Sequence, residues 1–156
     1  MQDYLKDIVA HTQALGSIDM IKVVGSETET LINSISEDRS VILEAKFKSA
    51  HPDFIGTFGM PNLSKLSTII SFEEYDSESK INVVSKKDPT TNSDVPTAIH
   101  FETKSGNFVN DYRLMSKAIV EEKVKTVTFK GTTWGVEFEP TIAGIQRLKK
   151  QAQANS

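Results

Sequence analysis

Apolar and polar positions alternate most regularly between residues 54 and 60. The apolar side of this segment carries Phe54, Gly56, Phe58 and Met60. Because successive side chains of a strand point to opposite faces, this alternation predicts a half-buried strand. Proline suits the first turn of a helix and asparagine is a good N-cap, so Pro61 and Asn62 predict a corner that leads into a helix.

The helix predicted after this corner separates its apolar and polar sides. Its apolar residues recur at spacings of three and four and are Leu63, Leu66, Ile69 and Ile70. The opposite side is small and polar, with one positive charge and no carboxylate, and carries Ser64, Lys65, Ser67 and Thr68. A solvated surface is the ordinary interpretation of such a face.

The N-terminal part of the chain predicts a helix followed by three strands. The helix spans Asp3–Leu15, ends at Gly16 and has an apolar stripe of Leu5, Ile8, Val9 and Tyr4. Lys6, Ala10 and Gln13 share another of its faces because they are four and three residues apart. Turn-rich stretches separate the three predicted strands, which favours a meander; the strands are Met20–Val24, Thr30–Ile35 and Val41–Phe47.

Three further strands are predicted after the central strand and helix, at Ile81–Val84, Ala98–Thr103 and Phe108–Leu114. The polar, proline-bearing stretch Lys86–Pro96 predicts a loop between the first two. The order is therefore helix and three strands, then strand, helix and three strands. This is one motif repeated, with the leading strand of the first copy missing.

The pattern changes beyond Met115. Ser116–Lys130 predicts an extended, charged connector, Trp134–Phe138 a strand, and Thr141–Gln153 a helix. The apolar side of that helix carries Ile142, Ile145 and Leu148, while Arg147 and Lys150 point elsewhere. Because an amphipathic helix needs a surface to cover, we expect residues 134–153 to be disordered, exchanged with a neighbouring molecule, or packed where the missing first strand belongs.

Composition restricts the class of protein. The chain has 156 residues, of which 38% are hydrophobic and 25% charged, as expected of a globular chain with one sizeable core. A net charge of −3 argues against a general nucleic-acid-coating protein but permits a local basic surface. The absence of cysteine excludes disulfides and thiolate metal sites. A charged N-terminal stretch and the lack of a membrane-length apolar run lead us to expect a cytoplasmic protein.

Candidate catalytic patterns are weak. The three histidines have no metal-ligand spacing, and the acidic residues from Glu73 to Glu78 lack the glycine and the alternation of a calcium loop. The glycines match no phosphate-binding loop, and no serine occupies a nucleophile elbow. We therefore expect a protein that is not an enzyme and uses no metal or cofactor.

The three predicted helices share a sparse basic or neutral polar face. The residues on these faces are Lys6 and Gln13, Lys65 and Thr68, and Arg147 and Lys150. Acidic residues are expected instead in turns and in the connector. One such face carries little information, but three at the same position of a repeated motif suggest a shared role.

At this point the chain resembles the DNA polymerase sliding clamps, most closely those of large tailed phages. The resemblance is carried by FGMPNLSKLSTIISF (58–72), NDYRLM (110–115) and WGVEFEPTIAGIQRLKKQ (134–151). It implies an α+β fold in which each domain doubles a strand–helix–three-strand motif, with antiparallel sheets outside and helices inside a ring. The implied divisions are a first domain at 1–115, an interdomain connector at 116–132 and the start of a second domain at 133–156.

The resemblance also implies a function and its residues. A trimeric ring would encircle double-stranded DNA without sequence preference and tether the replicative polymerase, with the clamp loader as a second partner, in the infected host cell. Lys6, Gln13, Lys65, Thr68, Arg147 and Lys150 would face DNA. Val41, Met115 and Ile119 would contribute to an apolar site for partner proteins, although ordinary core packing is an alternative for each.

Two departures from the family pattern affect this expectation. The first helix begins almost at Met1, without a preceding strand, and the second domain would end after one strand and one helix. We therefore expect a fragment of a longer clamp, for which ring closure cannot be assumed. An alternative interpretation is an α+β phage structural or regulatory interaction module that does not bind DNA.

Overall fold

The α+β class with antiparallel sheets is confirmed by the computed structural model, which describes residues 1–87, 92–125, 131 and 133–155. The helices in these residues are α1 (Gln2–His11), α2 (Leu63–Ile70), α3 (Lys117–Lys123) and α4 (Ile142–Ala154). The strands are β1 (Met20–Gly25), β2 (Thr30–Ile35), β3 (Ile42–Lys46), β4 (Gly56–Pro61), β5 (Lys80–Lys87), β6 (Asp94–Glu102) and β7 (Val109–Arg113).

The first sheet has the strand order β3-β2-β1-β4, and all its pairs are antiparallel. The predicted meander of the first three strands is therefore confirmed. β4, which opens the second half of the repeat, pairs with β1, so that Val23 lies opposite both Ile32 and Phe58. A Cβ atom at Gly25 would lie 1.4 Å from the carbonyl oxygen of Phe54, so only glycine allows the chain to enter β4 this close to β1.

The hydrophobic core lies between the inner faces of the sheets and the helices α1 and α2. It contains most of the predicted stripes of both helices, and the buried members are Leu5, Ile8, Val9, Leu63, Leu66, Ile69 and Ile70. Tyr4, which was predicted to belong to the stripe of the first helix, is only half-buried. α1 and α2 contact each other across this core. Burial of each stripe removes apolar side chains from water, which fixes the side of the sheets on which the two helices lie.

The second sheet has the order β5-β6-β7 and covers the other half of the same core. Ile99 and Phe101 of β6 are fully buried there. Tyr112 of β7 is also buried and donates a hydrogen bond of 2.5 Å to the carbonyl of Pro61, which ties the second sheet to the corner before α2. Burial raises the pKa of the Tyr112 hydroxyl above its usual range, so this donor keeps its proton.

The connector prediction is wrong over its described part. Ser116–Lys130 was expected to be extended, but Lys117–Lys123 forms α3, and residues 126–130 lie outside the described residues. Val120 and Val124 are buried, and α3 packs against β4. Because Val120 and Val124 are four residues apart, their side chains lie on the same side of the segment, and burial of both favours a helix.

α3 lies on the face of the first sheet opposite α1 and α2. Phe58 and Met60 point into the core, so Gly59 between them points to the other face. A Cβ atom at Gly59 would lie 2.7 Å from Cγ2 of Val120, which explains why glycine is needed under the helix. The backbones of Gly59 and Met115 also exchange two hydrogen bonds, of 2.9 and 2.8 Å, which fix the start of this segment.

Several predicted boundaries need correction. The first helix ends at His11 and not at Leu15: the buried Thr12 hydroxyl bonds the carbonyl of Ile8, and Gln13–Leu15 form a short 3₁₀ turn. Gly16 ends that turn with a φ of 79°, as expected for glycine. The predicted loop Lys86–Pro96 is partly strand, since β5 continues to Lys87 and β6 starts at Asp94; residues 88–91 lie outside the described residues.

The C-terminal unit forms its helix but not its strand. α4 begins and ends within one residue of the prediction, whereas Trp134–Phe138 have no regular structure. Every described residue from 131 to 155 is exposed, so the expected packing in place of a missing strand is not found. The exposed fractions of its six large apolar side chains are Trp134 66%, Val136 80%, Phe138 79%, Ile142 77%, Ile145 42% and Leu148 67%.

Candidate nucleic-acid interface

Lys6 and Lys65 lie on the same side of the molecule. Each is exposed on a helix whose opposite side is buried in the common core, and the two helices contact each other. Among the predicted DNA-facing residues, these two are therefore brought onto one helical surface by the fold itself. Two ammonium groups on such a surface attract phosphate weakly and without base preference.

The N-terminus of α2 has its own internal partners. The side chain of Asn62 accepts a hydrogen bond of 3.1 Å from the backbone of Lys65, and Asn62 adopts a left-handed conformation with φ of 54°. Asp19 accepts from the backbone of Leu63 through its carbonyl and from that of Ser64 through its carboxylate. Because these donors are satisfied, phosphate attraction at α2 depends on the Lys65 side chain.

The remaining polar residues of α2 are neutral. The Thr68 hydroxyl donates a hydrogen bond of 3.0 Å to the carbonyl of Ser64, one turn earlier. The Ser71 hydroxyl in turn donates to the carbonyl of Thr68 at 2.7 Å. Thr68 thus presents its methyl group and hydroxyl oxygen to solvent beside Lys65. The exposed side of α2 contains no carboxylate, as the sequence predicted.

The exposed side of α1 is not basic, contrary to the expectation that acidic residues lie in turns. Asp3 and Asp7 are exposed there together with Lys6. Oδ1 of Asp7 lies 3.1 Å from Nδ1 of His11, which follows one turn later. The four-residue spacing of the two aspartates is visible in the sequence and could have revealed this mixed face.

The other predicted DNA-facing residues are not joined to this surface by the described contacts. Gln13 follows α1 in the 3₁₀ turn and is half-buried, so it does not share a helix face with Lys6. Arg147 and Lys150 are exposed on α4, three residues apart and on the side away from its apolar stripe. They form a separate basic surface on the C-terminal unit.

The three predicted partner-binding residues divide between the two faces of the first sheet. Val41 is partly buried against the core that contains α1 and α2. Met115 and Ile119 belong to the segment on the opposite face, where Met115 bonds Gly59 and Ile119 is 48% exposed. Met115 and Ile119 therefore lie on the same face of the sheet, where Ile119 is accessible to a partner protein. Val41 instead packs against the core, which was the alternative considered for it.

Sequence reasoning missed an open groove between α1 and β3. Its volume is about 790 Å³, and its floor and walls are largely apolar, including Ile8, Ile32, Leu43, Ala45 and Phe47. Asp3 and Asp7 line the side formed by α1, and Lys46 and Lys48 line the side formed by β3. No local pattern predicts it, because the groove exists only where two distant elements meet.

Tyr4, which lines the groove, makes aromatic contacts with Phe47 and His51. The Tyr4 ring lies 4.8 Å from that of Phe47 and 4.6 Å from that of His51, and its hydroxyl bonds Ser49. His51 accepts a hydrogen bond from the backbone of Asp53 through Nδ1. Burial lowers the pKa of His51 below its usual range, which favours the neutral ring that this contact requires.

The exposed turn between β2 and β3 contains a carboxylate whose pKa is lowered. The Asp38 carboxylate accepts hydrogen bonds from the Ser36 hydroxyl and from the backbone and hydroxyl of Ser40, which lower its pKa to about 2. These bonds shape the turn between β2 and β3. Their role is structural, because each donor belongs to the same short segment.

Within residues 1–87, 92–125, 131 and 133–155, no cluster of three or more histidine, aspartate or glutamate side chains could hold a metal ion. None of the helices in this part of the chain is long and apolar enough to cross a membrane. No protein-family model matches the chain, and no curated protein matches it either.

Proposed function

We propose that this chain is part of a sliding clamp, which encircles double-stranded DNA and tethers a replicative polymerase without catalysing a reaction. The observation that carries the proposal is the side-by-side placement of α1 and α2 on one side of two antiparallel sheets, with Lys6 and Lys65 on the exposed helical surface. The proposed partners are DNA, the polymerase and its clamp loader, and the proposed assembly of the full-length protein is a homotrimer.

The charge of this surface suits a mobile tether. A ring holds DNA by topology, so its lining needs only mild attraction to phosphate, and strong pairing would hinder sliding. On α2, Lys65 is accompanied by the hydroxyls of Ser64 and Thr68, which can bond phosphate or water without adding charge. On α1, Asp3 and Asp7 reduce the attraction that Lys6 supplies.

These aspartates also favour a second candidate function. A helix surface that carries both signs of charge is an ordinary solvated face or a protein contact, and phosphate would be repelled near Asp3 and Asp7. On this alternative the chain is an α+β interaction module that does not bind DNA. The two candidates differ in their response to charge reversal on α2.

The test measures retention of the chain on nicked circular and linear duplex DNA at low salt. For a clamp we expect weak binding that increasing salt abolishes, and a double Lys65→Glu, Arg147→Glu variant that no longer binds. The control is a double Lys86→Glu, Lys117→Glu variant, which makes the same change of net charge at exposed positions of β5 and α3. Retention that depends on a circular template would indicate encirclement.

Two outcomes would count against the proposal. If both double variants weaken binding equally, the effect is one of net charge and not of the helical surface. If the unmodified chain shows no salt-sensitive DNA contact at all, the interaction module becomes the better account. In either case the folding of each variant is checked by its unfolding midpoint.

A further inference from the structure

β3 is the terminal strand of the first sheet, and it pairs only with β2 in the part of the chain that the structure describes. In an antiparallel pair, residues that exchange backbone hydrogen bonds alternate with residues that do not. The backbone N–H of Phe47 donates to the carbonyl of Thr30 at 2.9 Å, so the odd-numbered residues of β3 bond to β2. The backbone groups of the even-numbered residues Glu44 and Lys46 therefore point outward, where an added strand could bond them.

The charges of this edge complement a second copy of the same strand. Ala45 lies opposite the buried Ile32, so its side chain is on the core side of the sheet, and the exposed Glu44 and Lys46 share the other face. If two copies of β3 run antiparallel with Ala45 opposite Ala45, Glu44 of each copy lies directly opposite Lys46 of the other. Both residues point their backbone groups outward, so this register also forms the hydrogen bonds of an antiparallel pair.

The neighbouring registers are less favourable. A shift of one residue sets outward-pointing backbone groups against groups that already bond β2, so the hydrogen bonds between the copies are lost. A shift of two residues sets Glu44 opposite Glu44 in one direction and Lys46 opposite Lys46 in the other, and like charges that lie directly opposite are destabilising. Backbone pairing and charge therefore select the same register.

Lys46 can make this contact although it already has a partner in its own chain. Its ammonium lies 2.7 Å from a carboxylate oxygen of Glu29, and both side chains are exposed to solvent. An ammonium group has several donor hydrogens, so Lys46 can bond Glu29 and Glu44 of the second copy at the same time. The existing ion pair also holds Lys46 on the face of the strand that carries Glu44.

Pairing at this edge also covers apolar surface. Leu43 and Phe47 are half-buried on the groove side of β3 and come opposite each other in the same register. Ala45 at the centre is small, which allows the two strands to approach. Asp3 and Asp7 line the α1 wall of the groove, and their like charges oppose a close approach of the two α1 helices. The strands therefore carry the contact, and we expect a weak, reversible dimer.

The other described sheet edges are less suited to self-pairing. The charged residues of β5 are all lysines, so two copies of this strand would repel each other. The free edge of β4 is already engaged in its middle, where Gly59 bonds Met115. β7 alternates Asp111 and Arg113, but Tyr112 between them is already buried, so pairing there would cover little apolar surface.

We propose that two copies of this chain associate by antiparallel pairing of their β3 edges, centred on Ala45, which joins their first sheets into one. Glu44 of each copy then pairs with Lys46 of the other. The contact is isologous, because both copies use the same strand, and it therefore closes at a dimer. This inference rests on β3 alone and holds whether or not the chain binds DNA.

Sedimentation velocity and amide hydrogen exchange of the full chain, recorded over a series of concentrations, test this pairing. We expect a concentration-dependent increase in mass that stops at two chains. Over the same range the exchange of the Glu44 and Lys46 amides should slow, since these outward N–H groups gain acceptors. The amide of Phe47 already bonds Thr30, so its exchange should change much less.

Charge reversal gives the decisive variants. Glu44→Lys sets lysine opposite lysine at both pairs, and Lys46→Glu sets glutamate opposite glutamate, so each variant is expected to weaken self-association by at least about 30-fold. A mixture of the two variant chains has opposite charges at both pairs and is expected to form heterodimers as tightly as the unmodified chain forms homodimers. A single chain that bears both changes should form homodimers again.

Two control variants make the same changes of net charge away from β3. Glu73→Lys reverses an exposed carboxylate in the turn after α2. Lys104→Glu breaks an exposed ion pair of 2.8 Å with Glu78, just as Lys46→Glu breaks the pair with Glu29. Both controls are expected to associate like the unmodified chain. The unfolding midpoint of every variant checks that it is folded.

Three results would overturn the proposal. If the mass stays that of one chain at every concentration, the edge of β3 remains open in solution. If the mixed charge variants do not associate, the copies are not paired in the register centred on Ala45. If the chain bearing Glu44→Lys associates like the unmodified chain, the copies meet elsewhere, and loss of association in an Ile145→Glu, Leu148→Glu double variant would identify α4 as that surface.

Discussion

α2 and α4 have closely similar sequence patterns and opposite environments. Both follow a segment of alternating apolar residues and a proline, and both are capped by a side chain, Asn62 in α2 and Thr141 in α4, that accepts a backbone hydrogen bond. The apolar stripe of α2 is buried, whereas that of α4 is exposed. Capping and periodicity are therefore sufficient for the helix, but burial depends on a surface contributed by other elements.

The same contrast holds for the segments before the two helices. Residues 56–61 form β4 because β1 provides a hydrogen-bonding partner along the whole strand. Residues 134–138 have the same alternation, but no described strand pairs with them, and they form no strand. An extended segment leaves its backbone groups unpaired, so a strand needs a neighbour more than a helix does.

Truncating the central leucine of each stripe should give the largest difference. Leu66 is fully buried, so Leu66→Ala is expected to lower the free energy of unfolding by about 3 kcal/mol through lost burial and a residual cavity. Leu148 is 67% exposed, so Leu148→Ala is expected to change it by less than about 0.5 kcal/mol. Urea denaturation at low protein concentration measures both. Equal losses would mean that α4 is packed in solution.

A methyl group added at one glycine in each of these two segments should have the next largest effect. Gly59→Ala places a Cβ against Val120 and is expected to cost about 2 kcal/mol by pushing α3 away from β4. Gly135 has open space around the Cβ position, so Gly135→Ala should be neutral. Combining Gly59→Ala with Val120→Ala should cost less than the sum of the two single changes. Strict additivity of these changes would show that the clash is not the cause.

A change of pH should have the smallest effect on the free energy of unfolding, and it should act through His51, which lies in the packed part of the chain. The pKa of His51 is lower in the folded chain than its usual value of 6.5, so the unfolded chain binds its proton first as the pH falls. Stability is therefore expected to fall as the pH decreases below about 6.5 and to level off once folded His51 is protonated. His51→Gln should flatten this part of the profile of unfolding free energy against pH. An unchanged slope would place the titrating group elsewhere.

The sequence correctly predicted the features that depend on residues close together in the chain. The stripes of α1 and α2, the corner at Pro61 and Asn62, and the left-handed stop at Gly16 follow from spacing and backbone preference, and all are found. α3 was missed because the burial of Val120 depends on its contact with β4, a strand more than fifty residues earlier in the chain. The strand at 134–138 was wrongly predicted because alternation does not report whether a partner strand exists.

The candidate interface was predicted less completely than the fold. Lys6 and Lys65 lie together on one helical surface because both helices share a core, which the repeated motif indicated. Asp3 and Asp7 were omitted although their spacing was visible. The groove beside β3 could not be predicted, because it depends on how α1 crosses a strand more than thirty residues away along the chain.

The two backbone hydrogen bonds between Gly59 and Met115 have a mechanical consequence. They join the point where the chain leaves the packed body to the middle of β4, and α3 then covers the same spot through Val120. A pulling force on the C-terminal unit, exerted by anything bound there, therefore reaches the middle of β4, the terminal strand of the first sheet, and not the free end of a strand. Under tension, α3 should detach from β4 first. The hydrogen bonds of Met115 to Gly59 should then resist further unfolding of the chain.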